Sequence, residues 1–322
     1  MKDTGLQGNA MNLSFQLRPR PPFRLDLTAW ALRRNPANIV DRWDGETYRR
    51  VLMLDSKPVE VEVTQEGTLE KPRLLVTATG TGSQPRLKVG ITEALKRMLG
   101  LRIDLTSFYR FAENDQELSR LSRRFLGLKP PRFPDLFEAL VNAFACQQLS
   151  LTVCILLLNR LALHYGVPFY KKESTLYAFP QPEAIAGAEA GALRKLGFSR
   201  QKIRFMTELA QRVVHKRLNL EGLELLDDEA ALKELGLILG VGRWTAEYIL
   251  LRGMGRMDSF PSNDSGARGK LWYLLKRRKP LDYEGIHRVL GRWKPYRGLI
   301  YFYMLLDGLS EEGYLQETMS RS

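Results

Sequence analysis

Residues 239–264 read LGVGRWTAEYILLRGMGRMDSFPSND and bring two glycines, a helical segment and a carboxylate into close succession. A glycine turn that opens a helix presents backbone N–H groups and the positive end of the helix dipole, and both attract a phosphate group. Because Gly240 and Gly242 lack a Cβ, the backbone beside Val241 can approach a phosphodiester closely. The alternative is a plain helix–turn–helix connection with a glycine stop. A dinucleotide fingerprint is excluded, because no strand precedes the turn and no third glycine follows at the required position.

Asp264 follows Gly242 by twenty-two residues, which is the length of one helix and a returning loop. The carboxylate can therefore lie beside the glycine turn. A negative charge next to a phosphodiester is unfavourable unless it has a task, and cleavage of a glycosidic bond is such a task. Positive charge develops on the sugar in that reaction, and a carboxylate stabilises it and activates water. Asp264 is also well placed to cap a helix that starts near Ser265, and the two roles are compatible.

Basic residues exceed acidic ones, and the chain of 322 residues has a formal net charge of +13. Such an excess favours a polyanionic partner. Arg243 and Arg252 flank the helix after the glycine turn, and further basic residues with interleaved aromatics occur in residues 270–280 and 292–297. A solvated surface is the ordinary explanation of a charge run, but the surplus favours contacts with phosphates, which are sensitive to salt.

Several classes of protein are disfavoured by the composition. No apolar run approaches the roughly 20 residues of a membrane span, and residues 1–23 contain no apolar segment of a signal peptide. We therefore expect a cytoplasmic protein, or a nuclear one if the cell is eukaryotic.

Cys146 and Cys154 lie in an apolar helical stretch, where we expect small buried side chains rather than a disulfide or a metal pair. Three scattered histidines argue against zinc, and two cysteines cannot hold an iron–sulfur cluster.

The pattern along the chain predicts an α+β fold that is mostly α. Residues 1–20 are polar, and we expect them to be flexible. Residues 21–100 alternate as strands do, with one short helix, and predict a small α+β domain. Residues 101–322 show helical periodicity and predict two helical subdomains, with a helix-hairpin-helix motif near residues 227–252.

The chain resembles the helix-hairpin-helix-GPD superfamily of DNA glycosylases, and within it the DNA-3-methyladenine glycosylase II (AlkA) family. The resemblance is carried by LGVGRWTAEYILLRG, by DSFPSND and by GRWKPYRGLIYFYML, and more weakly by FEALVNAFACQQLSL and PPFRLDLTAWALRR. It spans most of the chain. Two positions depart from the family pattern: Leu239 stands where proline is usual, and Ser265 stands where an aromatic residue can occur.

The resemblance implies roles for the glycine turn and the carboxylate. Asp264 matches the catalytic aspartate. Gly240, Val241 and Gly242, with Arg243 beside them, match the hairpin that holds the DNA backbone, usually with a monovalent cation such as Na⁺ or K⁺. No other cofactor is implied. Trp244 stands where bifunctional relatives carry a nucleophilic lysine, so the expected enzyme is monofunctional. We expect the nearest downstream lysine, Lys270, to contact phosphate or solvent.

The resemblance also bears on base recognition. Trp244 and Tyr248 share a helix face. Periodicity alone fits a buried aromatic stripe equally well, but the resemblance favours a pocket that stacks on a cationic alkylated base. Extrusion of the nucleotide needs a wedge. The match points to Gln148, with Gln147 and Leu149 as neighbours, although these residues would also serve to join two helices. Trp30 is a further pocket candidate, with a core position as its alternative.

The predicted activity is hydrolysis of the N-glycosidic bond of an alkylated purine in duplex DNA, by a monomer with no membrane or protein partner. Two alternatives remain at this point. One is a glycosylase for oxidised or deaminated bases such as 8-oxoguanine, which the serine at position 265 keeps open. The other is a non-catalytic DNA-binding protein, against which Asp264 argues. A third hypothesis, with weaker support, is a helical scaffold that binds acidic partners.

Overall fold

The structure is a computed structural model that describes residues 11–171, 174–275 and 282–315, except for the side chains of Ser265 and Tyr283. The strands within these ranges are β1 (Met11–Leu17), β2 (Arg42–Trp43), β3 (Thr47–Leu54), β4 (Lys57–Thr68), β5 (Lys71–Gly80), β6 (Pro168–Tyr170) and β7 (Thr175–Tyr177).

The helices of the first half are α1 (Leu25–Arg33), α2 (Gln84–Met98), α3 (Thr106–Ala112), α4 (Gln116–Arg124), α5 (Leu136–Cys146) and α6 (Leu151–Tyr165). Those of the second half are α7 (Pro182–Ala186), α8 (Ala190–Lys195), α9 (Arg200–Val214), α10 (Leu220–Glu224), α11 (Asp228–Gly236), α12 (Arg243–Arg252), α13 (Ser265–Leu274), α14 (Tyr283–Leu290) and α15 (Arg297–Glu311). The predicted α+β class with a mostly helical body is confirmed.

The N-terminal sheet is antiparallel, with strand order β1-β5-β4-β3-β2. Val61 pairs with Ala78 and Val63 with Val76, and all four side chains are buried. Because the side chains of a strand alternate between faces, this spacing collects the apolar residues on one side of the sheet. That side packs against α1 and α2 and forms the first hydrophobic core.

Two further cores build the helical body, one around α5 and one around α15. Helix α12 lies between them: Ile249 and Leu250 belong to the α5 core, whereas Leu251 belongs to the α15 core. A helix that is buried on all sides has no single apolar stripe. This central position leaves only the first turn of α12 exposed and directs it towards solvent.

Two expectations about secondary structure were wrong. Residues 11–17, expected to be flexible, form strand β1, because their alternating pattern pairs with β5 along its length; residues 1–10 lie outside the described residues. Strands β6 and β7 form a small hairpin in a region expected to be helical. The boundary expected near residue 100 falls just after α2, but α1 contributes to both the sheet core and the α15 core, so separate folding of the two parts stays a prediction.

In the part of the chain that the structure describes, every helix is too short or too polar to cross a bilayer.

Candidate active site

The glycine turn between α11 and α12 has the form that the sequence predicts. Gly240 has a φ of +86°, and a Cβ at this position would lie 2.3 Å from the ring of Phe205, so no other residue fits there without a shift. A Cβ on Gly242 would instead have no described heavy atom within 4 Å. The turn is thus tightly packed at its first glycine and open at its second, where α12 begins.

Val241 differs from its neighbours in the turn. Its N–H donates to the carbonyl of Ile238 at 3.0 Å, and its side chain is buried. Val241 therefore holds the shape of the turn, and its N–H is not available to a ligand, in contrast to the expected phosphate contact. Gly242 and Arg243 are exposed at the start of α12, where the first N–H groups of a helix have no intrahelical acceptor. Arg243 also approaches Glu247, with Nε 3.4 Å from the carboxylate.

Asp264 is half-buried at the residue before α13, and both of its carboxylate oxygens are hydrogen-bonded. Oδ1 accepts from the N–H of Ala267 at 2.8 Å, which confirms the predicted helix cap. Oδ2 accepts from Nε1 of Trp244 at 3.2 Å. The loop from α12 therefore does return the carboxylate to the start of that helix, as the spacing of the two motifs predicts.

The returning loop is held by Glu247, a buried residue of α12 that was not singled out from the sequence. Its carboxylate accepts from the N–H of Ser262 at 2.9 Å, and its carbonyl accepts from the hydroxyl of Ser259 at 2.8 Å. A glutamate within the apolar run TAEYILL was the available signal. Glu247 thus sets the path of the chain immediately before Asp264.

Aromatic side chains line the space next to the carboxylate. Trp244 and Tyr248 stack with ring centroids 5.3 Å apart and planes inclined by 24°. Tyr248 is buried, whereas Trp244 is half-buried. Tyr301 of α15 lines the same cleft, and its pKa is raised well above the usual range, first by burial and then by the negative charge of Asp264. Tyr301 lies in the quoted C-terminal motif but was not predicted as a site residue.

The loop between α5 and α6 lies at the rim of the cleft. Gln147 directly follows α5, and its side-chain amide donates to the carbonyl of Gly240 at 2.9 Å and to the hydroxyl of Thr245 at 3.0 Å. Gln147 therefore ties this loop to the glycine turn. Gln148 is exposed with a positive φ of 56°, and Leu149 is 39% exposed. The two predicted wedge residues thus present exposed side chains beside the cleft.

A disulfide joins Cys146 to Cys154 across this loop, with the two Cα atoms 4.8 Å apart. The expectation of two separate buried cysteines was wrong. The α5–α6 turn brings the end of one helix beside the first turn of the next, and the eight-residue spacing alone did not reveal this approach. The disulfide closes a short loop, and this loop contains Gln148 and Leu149.

Trp30 is a core residue and lies away from the cleft. It is buried and stacks on Tyr314 at 5.6 Å between ring centroids. Arg34, one turn further along, lines the cleft instead and was missed. Its position after α1 has a left-handed φ of 66°, which turns the chain, and nothing in the local sequence indicated this conformation.

The basic residues divide into two groups. Arg252 is fully buried between the rings of Phe133 and Phe302, each 5.3 Å from its guanidinium carbon, so it does not contact DNA as expected. Arg297 forms a bidentate salt bridge with Asp258. The second half of the predicted basic stretch, residues 276–280, lies outside the described residues, as does residue 281. The basic groups that line the cleft include the exposed Lys270 and Arg243.

The cleft has a volume of about 1640 Å³ and is large enough for an extruded nucleotide. Its lining combines the glycine turn, a carboxylate, stacked aromatic rings and exposed loop residues; those that matter for the argument are Arg34, Gln148, Gly242, Trp244, Tyr248 and Asp264. A phosphate at the turn and a carboxylate beside the attached sugar fit the cleavage of a glycosidic bond.

Comparison with known proteins finds similar sequences and structures among DNA repair enzymes. The family model described as "HhH-GPD superfamily base excision DNA repair protein" matches residues 141–297. The chain is 28% identical over 214 residues to "DNA-3-methyladenine glycosylase" of Bacillus subtilis (strain 168), covering 66% of this chain and 71% of that protein. It is 33% identical over 200 residues to "DNA-3-methyladenine glycosylase 2" of Escherichia coli (strain K12), covering 61% and 65% of the two chains.

A solved structure described as a 3-methyladenine DNA-glycosylase from Archaeoglobus fulgidus superposes with a TM-score of 0.78 at 26% sequence identity. The match covers 91% of this chain and 97% of that one, so it includes the N-terminal sheet as well as the helical body.

Proposed function

Because the chain belongs to the HhH-GPD superfamily of base excision DNA repair proteins, we propose that it is a monofunctional DNA glycosylase acting on alkylated purines in duplex DNA. The observation that carries the proposal is the position of Asp264. Its carboxylate is held by Trp244 and by the start of α13, in a cleft that begins at the glycine turn. The relatives named as 3-methyladenine glycosylases support alkylated bases as the substrate.

The reaction requires the nucleotide to leave the duplex and enter the cleft. The bond between C1′ of the sugar and the base nitrogen then breaks, and its electron pair leaves with the base. Asp264 stabilises the positive charge that develops on the sugar and orients a water molecule. The water oxygen bonds to C1′ and the water loses one proton, which goes to solvent when the departing base was cationic and to the base when it was neutral. The products are an abasic site and the free base. Because tryptophan occupies position 244, no Schiff base forms there, and strand cleavage requires subsequent alkali.

The duplex is held mainly by its phosphates in this proposal. Gly242 and Arg243 contact the backbone next to the lesion, while Gln148 and Leu149 fill the gap that the extruded nucleotide leaves. Trp244 and Tyr248 provide the aromatic surface for the base. Such contacts weaken as salt rises, because phosphate binding releases condensed counterions.

A monovalent cation at the hairpin is a separate part of the proposal. The turn carbonyls of Ile238 and Gly240 each accept one hydrogen bond, and a carbonyl oxygen has two lone pairs, so each retains one for Na⁺ or K⁺. The cation would add positive charge near the bound phosphate. We further propose a monomer without a protein or membrane partner, which works where genomic DNA lies, in the nucleoid or, in a eukaryote, in the nucleus.

The test is base release from duplexes that each carry one lesion, with wild type and Asp264→Asn in parallel. The lesions are 3-methyladenine, 7-methylguanine, 1,N6-ethenoadenine, hypoxanthine, uracil and 8-oxoguanine. Asp227→Asn is the matched control, because Asp227 also caps a helix through its side chain but does not line the cleft. We expect wild type and the control to release alkylated bases and Asp264→Asn to lose release by at least about 100-fold.

Two outcomes contradict the proposal. Release confined to 8-oxoguanine would keep the catalytic aspartate but replace the substrate. Absence of any release, with salt-sensitive duplex binding retained, would make the protein a binding module.

A further inference from the structure

The loop between α5 and α6, which carries the predicted wedge residues, is braced at several points. Before the loop, the ammonium of Lys202 on α9 donates to the carbonyl of Ala145 at 2.7 Å. After it, the side chain of Ser150 caps α6. The disulfide between Cys146 and Cys154 adds a covalent link from the last residue of α5 to the first turn of α6. Of these braces, the disulfide is the one that a thiol reagent can break and re-form.

The backbone of Gln148 depends on such bracing. Its φ of 56° lies in the left-handed region, where the Cβ of an ordinary residue crowds its own backbone. A non-glycine residue stays in this region only where the surrounding structure imposes the conformation. Gln148 lies inside the ring that the disulfide closes, and the N–H of Leu149 next to it donates to the carbonyl of Cys146 at 3.3 Å. Loss of the S–S bond therefore allows Gln148 to relax and Leu149 to move with it.

The two sulfur atoms differ in their exposure. Cys154 is fully buried, whereas Cys146 is half-buried and lines the cleft. Nη1 of Arg34 lies 3.9 Å from Sγ of Cys146. The attacking species in disulfide exchange is an anionic thiolate, and a nearby guanidinium favours its approach. The accessible point of attack is thus Sγ of Cys146, from the side of the cleft.

We propose that Cys146 and Cys154 form a redox switch of the wedge loop, with extrusion of a paired base efficient in the disulfide form and impaired in the dithiol form. The proposal rests on the proposed glycosylase function. A protein that works on genomic DNA meets a reducing environment, where a disulfide is usually a transient redox device. Oxidising conditions would then raise the activity of this enzyme on paired lesions.

The redox step is an exchange between the disulfide and a dithiol. One thiolate of the dithiol attacks Sγ of Cys146, and the electron pair of the S–S bond leaves with Sγ of Cys154, which takes up a proton. The second thiolate of the reagent then attacks the reagent sulfur of the mixed disulfide and releases Cys146, which is also protonated. The dithiol becomes a cyclic disulfide, and the protein has gained two electrons and two protons. Oxidation is the reverse exchange, with a small-molecule disulfide as the electron acceptor.

The switch should act on extrusion of the base rather than on cleavage of the glycosidic bond. The wedge residues fill the gap that a nucleotide leaves when it is extruded from a paired duplex. A braced loop enters this gap in its final shape, whereas a relaxed loop must become ordered at that moment. A lesion in an unpaired bubble needs little extrusion. The carboxylate of Asp264 is held by Trp244 and Ala267, outside the loop, so bond cleavage should not depend on the redox state.

The test compares wild type oxidised with glutathione disulfide, wild type reduced with dithiothreitol, and the double variant Cys146→Ser, Cys154→Ser. The lesion is the base that wild type releases fastest in the lesion panel. The same damaged strand is annealed either to its full complement or to a strand that leaves the lesion in an unpaired bubble. Because the chain has two cysteines, titration of free thiols reports the redox state directly. Single-turnover rates are measured at a temperature at which circular dichroism shows all three forms to be folded.

We expect reduced wild type and the double variant to release the paired base at least about fivefold more slowly than oxidised wild type, because their loop must be ordered during extrusion. The three forms should agree within about twofold on the bubble, where extrusion requires little work. Dithiothreitol should not change the rate of the double variant on either substrate, which excludes a direct effect of the reductant.

The possible results separate this proposal from the proposed function. A reduced form that is as fast as the oxidised form on the paired duplex, or faster, would overturn the switch. Equal losses on the paired duplex and the bubble would overturn it too, because the disulfide would then support the structure as a whole. Two free thiols after oxidation would show that the pair does not form a disulfide in solution and would also overturn it. Failure of every form to release any base of the panel would instead overturn the glycosylase function.

Discussion

Nε1 of Trp244 lies 3.2 Å from Oδ2 of Asp264, and this hydrogen bond joins the first turn of α12 to the start of α13. The second carboxylate oxygen is held by the N–H of Ala267. A carboxylate held at both oxygens cannot rotate freely, and its remaining lone pairs face a defined direction.

Trp244→Phe removes this hydrogen bond while it keeps an aromatic ring that can stack on Tyr248. We expect the single-turnover rate of base release to fall by about 10-fold or more, since a hydrogen bond to a charged group is lost. The dissociation constant for undamaged duplex, measured by fluorescence anisotropy, should change little. An unchanged rate would show that the helix cap alone orients the carboxylate.

The two glycines of the turn should respond differently to alanine. Gly240→Ala forces a side chain into the left-handed region and against Phe205, and we expect a loss of roughly 2–4 kcal/mol in the free energy of unfolding. Gly242→Ala should leave the free energy of unfolding nearly unchanged, because a Cβ there meets no described heavy atom within 4 Å. It should weaken duplex binding, because its methyl group would stand where we propose that a phosphate binds. Urea titrations and binding isotherms of both variants would distinguish the positions; equal loss of stability would contradict the assignment.

Reduction of the disulfide between Cys146 and Cys154 should destabilise the protein. Loop-closure entropy for so short a segment corresponds to about 2–3 kcal/mol. Urea titrations with and without dithiothreitol measure the difference, and the double variant Cys146→Ser, Cys154→Ser serves as the control that reductant should not affect. A wild-type midpoint that is the same in both conditions would mean that the bond does not form in solution.

Lys129 gives a prediction about pH. It is fully buried, its ammonium donates to the carbonyl of Ile103 at 2.8 Å, and burial lowers its pKa to about 8. The unfolded chain holds this proton up to a higher pH, so the unfolded state binds more protons between pH 8 and 10. The free energy of unfolding should therefore gain a favourable contribution as pH rises through this window.

Lys129→Met removes the titrating group and should reduce that rise. Measurements at pH 7.5, 8.5 and 9.5 stay below the usual tyrosine pKa of about 10, and comparison of the variant with wild type cancels the small tyrosine contribution at pH 9.5. Parallel pH profiles for wild type and variant would show that Lys129 does not titrate in this window.

Local patterns were enough to predict much of the site. The glycine turn, the helix from Arg243 and the return of Asp264 depend on residues close in sequence, and the structure brings them together as expected. The alternation in β3, β4 and β5 likewise depends on local side-chain spacing. The catalytic, pocket and wedge roles of these residues stay predictions.

Contacts between distant segments could not be predicted in the same way. Arg34 reaches Tyr248 and Asn142 across more than 100 residues. Arg252 is the last residue of α12, where its charge suggested a contact with DNA, yet the packing of α12 between two cores buries it. Charge and spacing describe a residue's own helix, whereas burial depends on which other helices cover it.

The cleft is lined by residues from distant parts of the chain, from Arg34 to residues of α15 such as Tyr301 and Leu309. Helix α15 is the last helix that the structure describes. During synthesis, a ribosome-bound chain therefore lacks one wall of the cleft until α15 has emerged. A chain that stopped before α15 would contain the residues of the glycine turn and Asp264 but would lack one wall of the cleft. The cleft and the core around α15 are thus completed in the same step, when this helix packs.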